Sequence, residues 1–248
     1  MSTAETFDPA FSLPHRHFMY TLLGRLFGDD PTVGLMGLLR DENVAQQLAY
    51  AASLDEALAE AVSAFGGALP NTSSPEAACD QLAGTYTRLF VGPAALPAPP
   101  WESVYVNPDP LLFQKSTLAV RRAYREAGYL PASYPHVADD HLAIELNFMA
   151  ALAGSVVALN ETCDERAERD AQGDAAASDE AAAPAASDGE ALLRAQAAFL
   201  DEHLLRWVDA FATRLSEHEA TGVYPAAGRM AAAFCAVDRR TIDRLLVG

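Results

Sequence analysis

The chain has 248 residues, half of them hydrophobic, and a formal net charge of −17 at pH 7. Its length is sufficient for one large or two small domains with a buried core. The acidic balance argues against nucleic-acid binding, which needs a basic surface, and an anionic membrane would repel the chain. The same charge favours a basic partner, such as a peptide rich in Arg or Lys.

Targeting and redox signals are absent from the sequence. No uninterrupted apolar run approaches the ~20 residues needed to span a bilayer, and the N-terminus lacks the basic and apolar regions of a secretory signal. We therefore expect a cytoplasmic protein without membrane insertion. Cys79, Cys163 and Cys235 are far apart and form no Cys-x-x-Cys pair. Their spacing argues against a disulfide framework and a structural zinc site.

Apolar residues recur at helical spacing along most of the chain, and alternation of period two is not sustained anywhere. Ser74 is the expected N-cap of one helix, with Pro75 in its first position. The pattern predicts helices over 11–27, 42–65, 75–90, 110–128, 139–159, 191–218, 224–234 and 238–246, with a short one before residue 40. We predict an all-α fold, with residues 1–248 forming a single globular multi-helix domain.

Residues 161–190 differ in composition from the rest of the chain. The segment holds mostly Ala, Asp, Glu, Ser and Gly, and it carries −8 of the formal charge. It lacks the apolar side chains that would order it in a core. We predict a disordered, flexible acidic insert within the helical domain.

A proline-rich strap lies between Arg88 and Tyr105, in the sequence RLFVGPAALPAPPWESVY. Its prolines restrict the backbone and remove hydrogen-bond donors, and Leu96 and Ala98 each precede a proline, which favours extended geometry. Trp101 follows directly. Such a strap suits either a rigid structural corner with Trp101 in the core or the rim of a peptide-binding groove.

The densest polar cluster is HVADDH, from His136 to His141. One interpretation is helix capping, in which Asp139 and Asp140 satisfy free N–H groups and His141 pairs with Glu145 one turn later. Contact with a peptide or ligand is a second interpretation. A third is a metal or general-base site, although no Glu-x-x-His partner motif occurs elsewhere. Phosphate-loop, dinucleotide-binding and nucleophile-elbow motifs are also absent, so we predict no enzymatic activity and no cofactor.

Four segments, in order, resemble a known family. RLFVGPAALPAPPWESVY (88–105), KSTLAVRRAYREAGY (115–129), DDHLAIELNFMAAL (139–152) and FLDEHLLRWVDAF (199–211) are similar to the TorD/DmsD branch of redox-enzyme maturation chaperones, related to NarJ. Asp139, Asp140 and His141 match the Asp-Asp-His hinge loop of that family, and Trp101 matches the tryptophan after its strap. The family often has Glu-Pro before the hinge motif, where this chain has Val137 and Ala138.

The resemblance implies an all-helical cytoplasmic chaperone for a molybdopterin-containing oxidoreductase catalytic subunit. It would bind the twin-arginine signal peptide of that enzyme and assist folding and cofactor insertion before export, as a monomer or a helix-exchanged homodimer. The peptide-binding residues implied are Leu96, Trp101, Ser103, Tyr105, Asp139, Asp140 and His141. One alternative is a NarJ-like chaperone with a non-exported client. Another is a metal-dependent hydrolase that uses His136, Asp139, Asp140 and His141.

Overall fold

A computed structural model describes residues 9–93, 95–109, 111–171 and 185–247. This part of the chain is all-helical, as predicted, and its only β-type pairing is an isolated bridge between Trp101 and His141. The α-helices are α1 (Pro9–Gly28), α2 (Val33–Leu38), α3 (Glu42–Leu54), α4 (Glu56–Ala68), α5 (Pro75–Tyr86), α6 (Ser103–Val106), α7 (Lys115–Glu126), α8 (Leu142–Ala171), α9 (Ala185–Glu202), α10 (Val208–His218) and α11 (Val223–Val247).

Helix α8 lies at the centre of the fold. It packs along α1 on one side and against α9 on another, while α11 contacts α1, α4, α9 and α10. The core is one continuous hydrophobic cluster that draws on almost every helix. One helical stretch, Leu142–Cys163, is long and apolar enough to cross a membrane by length and composition, yet 61% of it is buried inside the protein. Its apolarity is therefore that of a core helix.

Caps explain where two helices begin. Ser74 accepts a hydrogen bond from the Ala77 amide at 3.2 Å, which confirms the predicted cap of α5. The single helix predicted over 42–65 is wrong, because Asp55 divides it into α3 and α4. Asp55 adopts extended backbone geometry, and its carboxylate accepts from the Ala57 amide at 3.0 Å. A capping aspartate thus starts a new helix inside an unbroken apolar pattern.

Two further helix predictions were wrong. The helix predicted over 191–218 breaks at His203, whose φ of −125° and ψ of −90° are not helical, and a short 3₁₀ turn, Leu204–Arg206, links α9 to α10. The helices predicted over 224–234 and 238–246 are instead one continuous helix, α11. Both errors come from tertiary contacts, since the His203 ring reaches Glu102 and the Asp238 carboxylate is held within the core.

The acidic segment 161–190 is partly helical. Helix α8 continues past the predicted end to Ala171, and α9 begins at Ala185. Residues 172–184, the remainder of the predicted insert, lie outside the described residues. The strap therefore follows α5 and ends within α6, and the acidic segment includes the end of α8 and the start of α9.

Near the beginning of α1, His15 and Arg16 are buried, whereas His17 is exposed. Arg16 is only 1% exposed and donates to Asp238 on α11 at 2.5 and 3.0 Å. Tyr20 also donates to Asp238, at 2.7 Å, and Arg16 reaches Gln196 on α9. Burial opposes the charge of Arg16, but Asp238 more than offsets that effect and raises the pKa of the guanidinium. The cluster ties α1, α9 and α11 together.

Close contact between α1 and α8 requires glycine at one position. A Cβ atom added to Gly28 would lie 2.8 Å from the Cβ atom of Ala143, which cannot rotate away. We expect Gly28→Ala to lower the free energy of unfolding by about 1–2 kcal/mol through overpacking. Gly84→Ala, inside α5 with nothing within 4 Å of the added carbon, is the matched control and should stabilise by about 0.5–1 kcal/mol. Urea unfolding of both variants tests the pair, and equal shifts would contradict it.

Candidate functional site at the junction of the strap and the hinge loop

The strap and the hinge loop are joined through their backbones. The Glu102 amide donates to the Asp140 carbonyl, and the Leu142 amide donates to the Pro100 carbonyl, each at 2.9 Å. Between these bonds the rings of Trp101 and His141 meet edge to face, with centroids 5.2 Å apart. The structure therefore brings the two predicted motifs together, although Trp101 and His141 are 40 positions apart in the sequence.

Asp139 and Asp140 are buried and hold this junction. The Asp140 carboxylate accepts from the Ser103 amide at 2.9 Å, so it links the hinge loop to α6. Asp139 accepts from Arg121 on α7 at 2.6 Å, and its carbonyl accepts from the Tyr124 hydroxyl at 2.9 Å. Since both carboxylates are at most 2% exposed, they act within the fold and present no free charge to solvent.

His141 takes the capping position that the sequence assigned to the aspartates. Its Nδ1 atom accepts from the Ala143 amide at 3.1 Å, at the start of α8. Burial lowers its pKa to about 4, so the ring is neutral at physiological pH. The predicted side-chain pairing with Glu145 is wrong, because the Glu145 carboxylate accepts instead from the Trp207 indole at 3.2 Å.

A buried carboxyl cluster lies directly beneath the junction. Glu102, Asp140 and Glu145 are all 0% exposed. His203 contacts Glu102 at 3.0 Å. Burial and then the charges of Glu102 and Asp140 raise the pKa of Glu145 well above its ordinary value, because a low-dielectric site disfavours a third negative charge. A protonated Glu145 carboxyl group can donate a hydrogen bond to Glu102. This bond gives a partner to one buried oxygen atom of each residue.

The remaining predicted contact residues differ in exposure. Ser103 is fully buried, whereas Leu96, Trp101 and Tyr105 are half-buried. Tyr105 stacks on Trp207 with centroids 5.4 Å apart, and burial raises the pKa of its hydroxyl. The Trp101 indole N–H is buried and has no hydrogen-bond partner among the described residues. The side chains of Trp101 and Tyr105 thus pack against other residues and are also partly exposed to solvent.

A pocket of about 410 Å³ opens beside the hinge loop. The end of α1, the loop before the hinge and the first turns of α8 form its walls. Its lining is mainly apolar, with one carboxylate and one guanidinium near the edge, and comprises Gly24, Arg25, Gly28, Asp29, Tyr129, Ala132, Ser133, Val137, His141, Ala143, Ile144 and Asn147. His141 is the predicted site residue that faces this pocket. The volume is within the range of ligand-binding clefts.

The residues of the metal-site alternative do not converge. His136 is exposed, Asp139 is committed to Arg121, and Asp140 is committed to the Ser103 amide. Within the described ranges, no three His, Cys, Asp or Glu side chains are arranged to hold a metal ion. The hydrolase alternative therefore has no geometric support.

Glu102, His203 and Asp29 were not predicted as residues of this region, and Glu145 was predicted only as a partner of His141. Glu102 follows Trp101 directly, and Glu145 lies among the apolar residues of α8, which was a readable sign of a buried carboxylate. His203 stands in a pattern typical of a continuous helix, and Asp29 lies just after the helix predicted over 11–27. Their convergence required the tertiary structure.

Comparisons with known proteins agree with the resemblance. The sequence model described as nitrate reductase delta subunit matches residues 51–213, a range that contains the strap, the hinge loop and His203. The chain belongs to this family. Relatives in it include a chaperone protein TorD from Photobacterium profundum, 29% identical over 181 residues, which are 73% of this chain and 73% of the relative. The predicted TorD/DmsD resemblance is confirmed.

Two more relatives support the assignment of this chain to the family. A chaperone protein TorD from Vibrio cholerae is 32% identical over 166 residues, which are 67% of this chain and 64% of the relative. A Tat proofreading chaperone DmsD from Salmonella typhi is 40% identical over 74 residues, 30% of this chain and 36% of the relative. These similarities support a chaperone of redox-enzyme maturation.

Proposed function

We propose that this chain is a cytoplasmic chaperone that binds the twin-arginine signal peptide of a molybdopterin-containing oxidoreductase and assists folding and cofactor insertion before export. The names of its relatives, which include a Tat proofreading chaperone, support this proposal. The single structural observation that carries it is the pocket beside the hinge loop, because residues of the family motif line a cleft of suitable size. In this role the chain binds and releases a client and performs no chemistry of its own.

The chemistry of the pocket suits a peptide with an apolar segment and a basic end. Tyr129, Val137 and Ile144 offer apolar contact, and Leu130 and Tyr134 are exposed on the same loop. Burial of such surface contributes about 25 cal/mol per Å². The expected peptide contacts at Leu96, Trp101, Ser103 and Tyr105 stay part of the proposal, with the aromatic rings at the rim.

The roles of the hinge acids differ from the sequence-based expectation. Asp139 and Asp140 are committed to Arg121 and to the Ser103 amide, so in this proposal they position the loop. Asp29, exposed at the edge of the pocket and followed by the equally exposed Asp30, supplies the charge for the arginine pair. Charge-assisted hydrogen bonds of this kind are the stronger class.

Calorimetry with a synthetic twin-arginine signal peptide tests the proposal. We expect Val137→Asp to weaken binding by about 1–3 kcal/mol, since it places a charge on the apolar wall. Asp140→Ala combined with His141→Ala should cost a similar amount by loosening the hinge. Val33→Asp, an exposed valine at the start of α2 outside the pocket, is the matched control. Wild-type affinity in all the pocket variants would sink the site.

The same titration distinguishes the proposed function from the NarJ-like alternative, in which the client is not exported. A second peptide carries Ala-Ala in place of Arg-Arg and is otherwise identical. Selectivity for the arginine pair that disappears in Asp29→Asn supports an exported client. Equal binding of both peptides would favour a non-exported subunit as the client.

A further inference from the structure

A second groove lies on a different face of the protein. It has a volume of about 960 Å³ and is formed by α4, α10 and α11. Helix α11 packs against both α4 and α10, which form the two walls, and α11 itself forms the floor. Neither the strap nor the hinge loop contributes to its lining.

The floor is made of small side chains. Ala232, Ala233 and Ala236 lie at helical spacing along one face of α11, and they are only partly buried although their neighbours are deep in the core. Val208 and Ala212 of α10 and Ala61 of α4 close the bottom of the groove. Small side chains let the backbone of an incoming helix approach closely.

Carboxylates lie on both walls of the groove. Asp209 and Glu217 are two helical turns apart on α10, about 12 Å along the axis, and both are exposed. Glu60 is exposed on the opposite wall, on α4. The guanidinium in the lining, that of Arg229, donates to the Ser216 hydroxyl at 2.9 Å. An apolar floor between acidic walls is complementary to an amphipathic helix with basic residues on its flanks.

We infer that this groove binds a helix of a partner protein, one that presents a small apolar face flanked by Lys or Arg residues. The apolar face lies on the alanines of α11, and cations two turns apart meet Asp209 and Glu217. This interaction goes beyond the proposed binding of the signal peptide, because it uses different helices and needs no arginine pair. It would give the chaperone a second contact with a basic helical partner.

Fluorescence anisotropy with a labelled model helix tests this inference. The probe is a peptide of about five turns with Ala and Leu on one face and Lys on both flanks, and the reference probe has Glu in place of every Lys. We expect the full chain to bind the Lys peptide and not the Glu peptide. Binding should weaken with added salt, because salt ions screen the attraction between exposed charges over a distance of about 10 Å. Equal affinity for both peptides would overturn the inference.

Two variants place the binding in the groove. Ala233→Phe places a large side chain on the floor of the groove and should weaken binding of the Lys peptide at least about tenfold. Ala119→Phe, on the exposed surface of α7, should leave that binding unchanged. Neutralising Glu60, Asp209 and Glu217 together should weaken it roughly tenfold as well. The control neutralises Glu42, Asp80 and Glu161, which are exposed outside the groove and change the net charge equally. An equal loss in both triple variants would show a non-specific charge effect and overturn the inference.

The test also separates this groove from the signal-peptide site. Val137→Asp should leave the Lys peptide unaffected, and Ala233→Phe should leave the twin-arginine peptide unaffected. If either single variant loses binding of both peptides while its thermal unfolding transition is unchanged, the result would contradict the inference that the two sites are independent. Failure of the twin-arginine peptide alone would leave the groove intact.

Discussion

Asp238→Asn is expected to lower the free energy of unfolding by about 3–5 kcal/mol, the largest effect of a single substitution that we anticipate. The change leaves the guanidinium of Arg16, 1% exposed, without its counter-charge. It also weakens the acceptor of the Tyr20 hydroxyl, which donates at 2.7 Å. A buried charge without a partner keeps its desolvation cost and loses the attraction that offset it. Urea unfolding followed by circular dichroism measures the difference.

The matched control is Asp201→Asn. Asp201 pairs with Arg239 at 2.9 Å, but its side chain is 50% exposed. Water replaces such a partner readily, so the expected cost is below about 1 kcal/mol. Arg16→Met combined with Asp238→Leu should recover much of the loss, because it removes the buried charge together with its partner. A cost below 1 kcal/mol for Asp238→Asn would contradict the structural role of the cluster.

Glu145→Gln is expected to change how stability depends on pH. The folded protein holds the pKa of Glu145 above its ordinary value of 4.5, through burial first and then through Glu102 and Asp140. The stability that comes from the protonated carboxyl is fully present below about pH 4.5 and is lost as the pH rises through the folded pKa. Glutamine cannot ionise, and its amide can still donate to Glu102 and accept from Trp207. The variant should therefore keep that stability at high pH.

Urea unfolding at a series of pH values checks this expectation. The gap between Glu145→Gln and the natural chain should open above about pH 4.5 and widen by up to about 1.4 kcal/mol per pH unit until the folded pKa is reached. The other ionisable groups around Glu145 are Glu102, Asp140, His203, Tyr124 and Cys235, and they are present in both proteins. Glu161→Gln, exposed on the same helix, is the control. Parallel stability curves for Glu145→Gln would contradict a shared proton.

The structural features that the sequence predicts correctly are local ones. The all-helical fold and the cap at Ser74 could be inferred from the sequence, because spacing and capping act within one or two turns. The break at His203 and the continuity of α11 could not, since each depends on a contact with a residue far away in the chain. His203 reaches Glu102, and Asp238 receives Arg16.

The candidate site shows the same division. The sequence alone indicated that the strap and the Asp-Asp-His hinge belong together, and the family match contains both. It could not distinguish a carboxylate that faces solvent from one that holds the loop. Asp139 and Asp140 proved to be buried against Arg121 and the Ser103 amide, whereas exposed carboxylates occur at Asp29 and Asp30.

The sequence by itself determined the helical class, the family and the two motifs that meet at the candidate site. Only the tertiary structure decided which ionisable groups are buried, where the charges of the surface lie and which grooves stay open between helices. The physical reason is that periodicity records how a helix faces the core, whereas burial and the resulting protonation state depend on what packs against it. Glu145 is the plainest case, since its raised pKa arises from burial and from two carboxylates contributed by other segments.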